Sequence, residues 1–245
     1  MPQLPSLVLP NGIIVYVWHI TESQEILQQM YEECHLPQRK STVVNGDISN
    51  FDGLTVSPQH KHFLASRLLL NSVFGNHRMG RSNDGKPHLE YVEHADIHTN
   101  NTHINYSHAD NWVVLACHTE CKVGIDIESP RPQLHRIYRR FCSEKEIQWM
   151  GENPSTLQLQ KAWCAKEALY KAIGKKGTDF RDQLYLQPTQ EMDMEMRATI
   201  LLKTGNSEST TNYGDELKSS NTPIQTTVHF FSLESMMVAA VTLND

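Results

Sequence analysis

The sequence predicts an α+β chain in which mostly antiparallel sheets are each packed with helices. Three observations lead there. Runs of β-branched and aromatic residues, such as Ile13–Ile20 and Trp112–His118, read as strands. Apolar residues at helical spacing, around Leu64 and Leu68 and again from Leu134 to Phe141, separate those strands. Each half of the chain also runs strand, helix, strands, although no internal sequence repeat is visible.

Taken in order, residues 1–12 form an extended, proline-containing lead-in, and Ile13–Ile20 is the first strand. Thr21 or Ser23 caps a helix carrying Ile26, Leu27 and Met30. From Pro37 to Pro58 the composition turns to Ser, Thr, Asn, Asp and Gly, a long loop. Lys61–Phe74 is a helix, with Phe63, Leu64, Leu68 and Phe74 available to a core and Arg67 read as a solvent-facing charge. Trp112–His118 and Cys121–Glu128 read as antiparallel neighbours across a short turn. Leu134, Ile137, Tyr138 and Phe141 line one face of a helix whose other face carries Arg136, Arg139 and Arg140. Ser143 with Glu146 makes a capping box, and Ser155 caps a further helix that stops at Gly174, with Gly177 close behind. Met192–Lys203, Thr226–Ser235 and Met236–Leu243 have strand character, and Thr204–Pro223 is a polar loop or insertion between them.

Composition bounds the function. At 245 residues the chain is one large domain or two small ones, long enough to bury a core. A hydrophobic content of 39% with 20% charged residues is that of a soluble globular protein. The net charge of −6 argues against bulk nucleic-acid binding, which needs a basic surface. No apolar run approaches the roughly 20 residues that span a bilayer, so no membrane partner is expected. Five cysteines, an odd number, with no signal-peptide pattern point to reduced thiols and a cytoplasmic protein. The 13 histidines include His94, His98, His103 and His118, but with Cys117 and Cys121 they match no strong zinc spacing.

Chemistry concentrates in two segments. In Gly124-Ile-Asp-Ile-Glu128 the alternation of a strand aims Asp126 and Glu128 to one face and Ile125 and Ile127 to the other. In Trp163-Cys-Ala-Lys-Glu-Ala-Leu-Tyr-Lys171, Trp163, Glu167 and Lys171 follow one helix face, with Lys166 beside Glu167 around the cylinder. Paired carboxylates repel unless a cation offsets them, and Mg2+ held by a few carboxylates and a substrate phosphate is a familiar solution. The lysines would meet the phosphate oxygens left free. Taken singly, each segment has a plain reading as well: a strand end, and a solvated helix face with weak i,i+4 pairs.

These blocks, with Phe141-Cys-Ser-Glu-Lys-Glu146 between them, resemble the 4′-phosphopantetheinyl transferase family, and among its members the larger single-chain class that includes the surfactin-synthetase activator. The resemblance implies two similar α/β halves related by pseudo-twofold symmetry, residues 1–120 on the coenzyme A side and 121–245 carrying the metal and catalytic motifs. It implies Mg2+, or Mn2+ in its place, held by Asp126, Glu128 and Glu167. Coenzyme A phosphates would be gripped by Lys61, Lys86 of Gly85-Lys86-Pro87, Ser107 and His108 of Asn105-Tyr-Ser107-His108, and Lys171. Lys61 has His62 as its neighbouring competitor. Glu146 is either the general base or only the helix cap, and Lys166 and Lys171 would assist the transfer. The implied reaction moves 4′-phosphopantetheine from coenzyme A to a serine of an apo acyl or peptidyl carrier protein, by a monomeric enzyme, releasing 3′,5′-adenosine bisphosphate. The arginines at 136, 139 and 140 would either meet an acidic carrier domain or form a solvated face. Two departures touch the coenzyme A side: the span from Lys86 to His108 is long, implying an inserted loop around Tyr91–Thr102, and Ala109 stands where the family often has a second serine.

Overall fold

The computed structural model of the protein describes residues 3–35, 58–75, 77–82, 85–91, 102–190, 194–202 and 222–244. The loop expected from Pro37, the insertion at 91–102 and the polar loop at 204–223 lie almost wholly outside the described residues.

In chain order the first elements are β1 (Gln3–Val8), β2 (Ile14–His19), α1 (Gln24–His35), α2 (Pro58–Phe74), β3 (His77–Arg81) and β4 (Pro87–Tyr91). There follow β5 (His103–Ala109), β6 (Trp112–His118), β7 (Lys122–Glu128), α3 (Leu134–Phe141), α4 (Glu144–Met150) and α5 (Thr156–Ile173). The chain closes with β8 (Leu184–Pro188), β9 (Glu195–Ile200), β10 (Ile224–Leu233) and β11 (Met236–Leu243). Among the described residues, one sheet has the order β1-β2-β6-β5, a second the order β7-β11-β10-β9-β8, and β3-β4 is a separate ribbon. The ladders are antiparallel.

The two larger sheets pack face to face. Val15, Val17, Val114 and Ala116 of the first meet Ile125, Ile127, Val238 and Ala240 of the second in one apolar layer. The outer face of the first sheet, with Trp18, Val113 and Leu115, is covered by Leu27 of α1 and Leu64 and Leu68 of α2. The outer face of the second is covered by Leu159, Ala165 and Leu169 of α5. This explains why Trp112–Cys117 is apolar without alternation: a strand buried on both faces has no polar side to show.

Several sequence expectations are corrected. β6 and β7 are not a hairpin: β6 lies between β2 and β5, whereas β7 pairs with β11 in the other sheet. His118 Nδ1 accepts from the amides of Glu120 and Cys121, and this turn passes the chain from one sheet to the next. Local pattern reads strand–turn–strand in both cases, and only the burial of both faces of each strand separates them. Residues 3–8, expected as lead-in, are an edge strand paired to β2, and β3, β4 and β8 had no strong alternation to reveal them. Ser23, rather than Thr21, approaches the α1 amides, its Oγ lying 3.4 Å from the amide of Ile26.

Helix α5 sits directly on β7 because residue 124 is glycine. A Cβ there would lie 2.0 Å from the carbonyl oxygen of Ala168 and 2.8 Å from the amide of Ala172. Backbone meets backbone at this crossing, so neither partner has a side chain that could give way. Gly124→Ala is therefore expected to destabilise the fold by about 1–3 kcal/mol or more, seen as a lower midpoint in denaturant unfolding. An unchanged midpoint would show that α5 can lift off at no cost.

Candidate active site at the seam of the two sheets

β5 ends one sheet and β7 ends the other, and the two edges lie against each other. Asn105 Oδ1 accepts from the amide of Ile125 at 3.4 Å, so a side chain of one edge tethers the backbone of the next. Two residues further on, Ser107 donates to Asp126 Oδ1 at 2.9 Å. Lys171, in the last turn of α5, donates to the same Asp126 oxygen (2.7 Å), to Ser107 Oγ (2.9 Å) and to the carbonyl of Ile125 (3.2 Å). Three distant segments thus meet on one carboxylate. The capping box at Ser155 and Gln158 starts α5, and Gly174, with φ of 67°, ends it just past Lys171.

The strand alternation holds: Asp126 and Glu128 look toward α5 while Ile125 and Ile127 enter the inter-sheet layer. Glu128 accepts from Trp163 Nε1 at 2.8 Å, and its backbone carbonyl accepts from Gln160. Arg131 lies 2.8 Å from Glu128 Oε2, an ion pair without hydrogen-bond alignment, since that oxygen has no hydrogen-bond partner. Burial, and then the charge of Asp126, push Glu128 up to about 7 against the opposing pull of Arg131. Glu167 is also raised, by burial first and by Asp126 second. Asp126 Oδ2 is buried with no partner.

These features fit a hard cation. Two carboxyl groups raised by burial and by the charge of Asp126, together with the buried Asp126 Oδ2 that has no partner, have unsatisfied capacity for positive charge. Among the described residues no three His, Cys, Asp or Glu side chains already converge as ligands. Lys171 on Asp126 and Arg131 on Glu128 supply positive charge instead.

Beside this cluster opens a cleft of about 410 Å³, lined by Arg81, Lys86, Ser107, His108, Lys171 and Lys176 among others. A second hollow of about 270 Å³ adjoins it through Arg81, Tyr106 and His108, and adds His62, Ser66 and Arg67. Lys86 lines the first cleft and donates to the carbonyl of Ala172, linking the turn before β4 to the end of α5. His62 stacks on His108, ring centroids 4.2 Å apart. Lys61 lines neither hollow, so the structure brings His62 rather than Lys61 to the second hollow, beside His108. One step along a helix turns a side chain by about 100°. Arg67 is not solvent-facing: it is buried, lies 4.4 Å over the Phe63 ring and leaves its Nε without a partner. Arg81, Lys176 and Tyr170 were not anticipated. Arg81, which donates to the Tyr106 hydroxyl, is positioned by a ribbon that had no readable pattern.

Glu146 and Lys166 are not brought to the cleft. Lys166 is fully buried and donates to Glu146 Oε2 and to the carbonyls of Phe141, Phe180 and Leu184, at 2.7–2.8 Å. Glu146 accepts from the amides of Ser143 and Leu186 and closes the capping box of α4. Consecutive helical residues diverge, so Glu167 faces the site while Lys166 faces the core. On α3, Arg136, Arg139 and Arg140 are exposed, as the helical pattern required.

His108, which reaches solvent at the rim while its ring packs on His62, is pushed down to about 4 by partial burial first, then by His62 and Lys171, against an opposing pull from Asp126. Solvent screens part of this effect, but burial, His62 and Lys171 each favour the neutral ring. The unfolded chain, with its histidine near 6.5, then binds more protons than the folded one as pH falls from that value toward 4. Stability is expected to fall over that window through this group. An imidazole resonance of His108 that titrates at an ordinary value would refute the effect.

Edge strands, a buried carboxylate bound to lysine and serine, and a cleft lined by cationic side chains define an α+β protein whose cleft suits an anionic ligand. Residues 122–220 match the family model of the 4′-phosphopantetheinyl transferase superfamily. The chain is 31% identical over 137 residues to the 4′-phosphopantetheinyl transferase gsp of Aneurinibacillus migulanus, covering 54% of this chain and 51% of that one. It is 24% identical over 212 residues to the 4′-phosphopantetheinyl transferase HetI of Nostoc sp., covering 80% and 83%. To the 4′-phosphopantetheinyl transferase Sfp of Bacillus subtilis it is 26% identical over 119 residues, 47% and 53% of the two chains. The match thus spans about half the length of gsp and Sfp, and most of HetI. The similarity to the 4′-phosphopantetheinyl transferase superfamily is carried by residues 122–220 and by these partial matches.

Proposed function

We propose that the protein transfers 4′-phosphopantetheine from coenzyme A to a serine hydroxyl of an apo acyl or peptidyl carrier protein, with Mg2+, releasing 3′,5′-adenosine bisphosphate. The observation that carries this reading is the meeting of Ser107, Asp126 and Lys171 beside a cleft lined by Arg81, Lys86, His108 and Lys176. Asp126, Glu128 and Glu167 would hold the cation. Bound there with the diphosphate, Mg2+ would offset negative charge developing on its oxygens.

The chain's own residues do the rest. Lys86, His108 and Lys171 orient the diphosphate by charge-assisted hydrogen bonds, and Arg81 and Lys176 extend the positive wall. The serine oxygen of the carrier forms a bond to the β-phosphorus, the bond from that phosphorus to the bridging oxygen breaks, and the serine proton passes to solvent. The bridging oxygen leaves with 3′,5′-adenosine bisphosphate. Glu146 and Lys166 hold α4, α5 and β8 together and take no part in proton transfer.

The reading extends to architecture. Residues 1–120 and 121–245 are proposed as two related halves, each a sheet with helices on its outer face, in one monomeric chain of the larger single-chain class. The test is mass spectrometry of an apo carrier protein incubated with the protein, coenzyme A and Mg2+. A mass gain of one phosphopantetheine arm is expected. Hydrolysis of coenzyme A with no change in the carrier would replace this reading with a phosphohydrolase.

A further inference from the structure

We infer that Lys171 is the site's built-in counter-cation: it neutralises Asp126 in the free protein and yields that carboxylate to a divalent ion only when a phosphate group draws its ammonium away. The protein would then take up cation and diphosphate together and discriminate against the free ion. The inference rests on the transferase reading for the identity of the diphosphate.

The geometry carries it. Asp126 is 4% exposed, and both of its contacts fall on Oδ1, from Lys171 and Ser107, while Oδ2 has no partner. Half of the carboxylate is in use and half is open. The ammonium of Lys171 has three donors, and three acceptors meet them: Asp126 Oδ1, Ser107 Oγ and the carbonyl of Ile125. A phosphate that binds Lys171 therefore has to displace at least one of these. The side chain is 27% exposed and lines the cleft, so its flexible stem can swing from Asp126 toward the cleft without moving α5.

Charge balance points the same way. Asp126, Glu128 and Glu167 already face Lys171 and Arg131. A dication added alone turns this group net positive and is repelled by the ammonium on Asp126. Added with a diphosphate, it does not, because the phosphate compensates both the ion and the displaced lysine.

The test is Mn2+ binding, read from the electron paramagnetic resonance signal of the free ion, with protein-free controls for chelation by the ligand. Wild-type protein should bind Mn2+ weakly alone and roughly tenfold more tightly or better with coenzyme A. Lys171→Met and Lys171→Gln should each bind Mn2+ alone roughly tenfold more tightly than wild type and lose most of the enhancement by coenzyme A. Lys171→Arg should keep the wild-type pattern. The inference is overturned if either neutral variant, folded by its melting curve, binds Mn2+ alone no better than wild type. It is also overturned if wild type binds Mn2+ equally with and without coenzyme A that is itself bound. Should coenzyme A bind to none of these proteins, the transferase reading fails, and the comparison with Mn2+ alone still decides whether Lys171 holds Asp126 against a cation.

Discussion

Asp126→Asn is expected to lower the transfer rate by on the order of 10²-fold or more at saturating Mg2+. Asparagine keeps the shape and can still accept from Ser107 and Lys171, so the change removes charge and little else. That charge is where strand β7, strand β5 and helix α5 meet, and the oxygen it leaves unpartnered is the one most open to a cation. The check is single-turnover transfer to an apo carrier, with circular dichroism to establish that the variant is folded. Full turnover with Mg2+ present would remove Asp126 from the metal site and with it the electrostatic account of catalysis.

The largest expected effect on stability lies elsewhere, at Lys166. Replacing it by methionine leaves the Glu146 carboxylate and the carbonyls of Phe141, Phe180 and Leu184 without their shared donor in a water-free setting. Breaking a buried ion pair from one side costs about 3–5 kcal/mol. With about 2–4 °C for each kcal/mol in a domain of this size, the melting temperature should fall by roughly 6–20 °C. Burial lowers the tendency of Lys166 to stay protonated and Glu146 opposes that, so the lysine depends on its partner as much as the reverse. Glu146→Gln should likewise lower the melting temperature while leaving the pH dependence of turnover by the folded fraction unchanged. A shifted pH–rate profile in that variant would return Glu146 to the chemistry.

Much of the site was readable from local pattern. The alternation of Gly124–Glu128 aims both carboxylates to one face, and the i, i+4, i+8 spacing of Trp163, Glu167 and Lys171 aims them at that same face from α5. The caps at Ser143 and Ser155 and the stop at Gly174 were equally plain, because a cap is a contact between residues three or four apart. Lys166 and Glu167 show where such reading stops. Both are charged helical neighbours, and nothing nearby in the chain says which direction out of α5 leads to water and which to the core.

What the chain determines by itself is therefore what depends on neighbouring residues: the antiparallel α+β character, the helix ends, and the segments that carry carboxylates and ammonium groups. The tertiary structure decided how those segments are partnered: that β6 and β7 belong to different sheets, that β5 and β7 meet as edges, that His62 rather than Lys61 reaches the hollow beside the cleft, and that Arg67 is buried. Periodicity records which way a side chain leaves its own strand or helix. The neighbour it finds there is set by where distant apolar faces pack, and that packing has no period in the sequence.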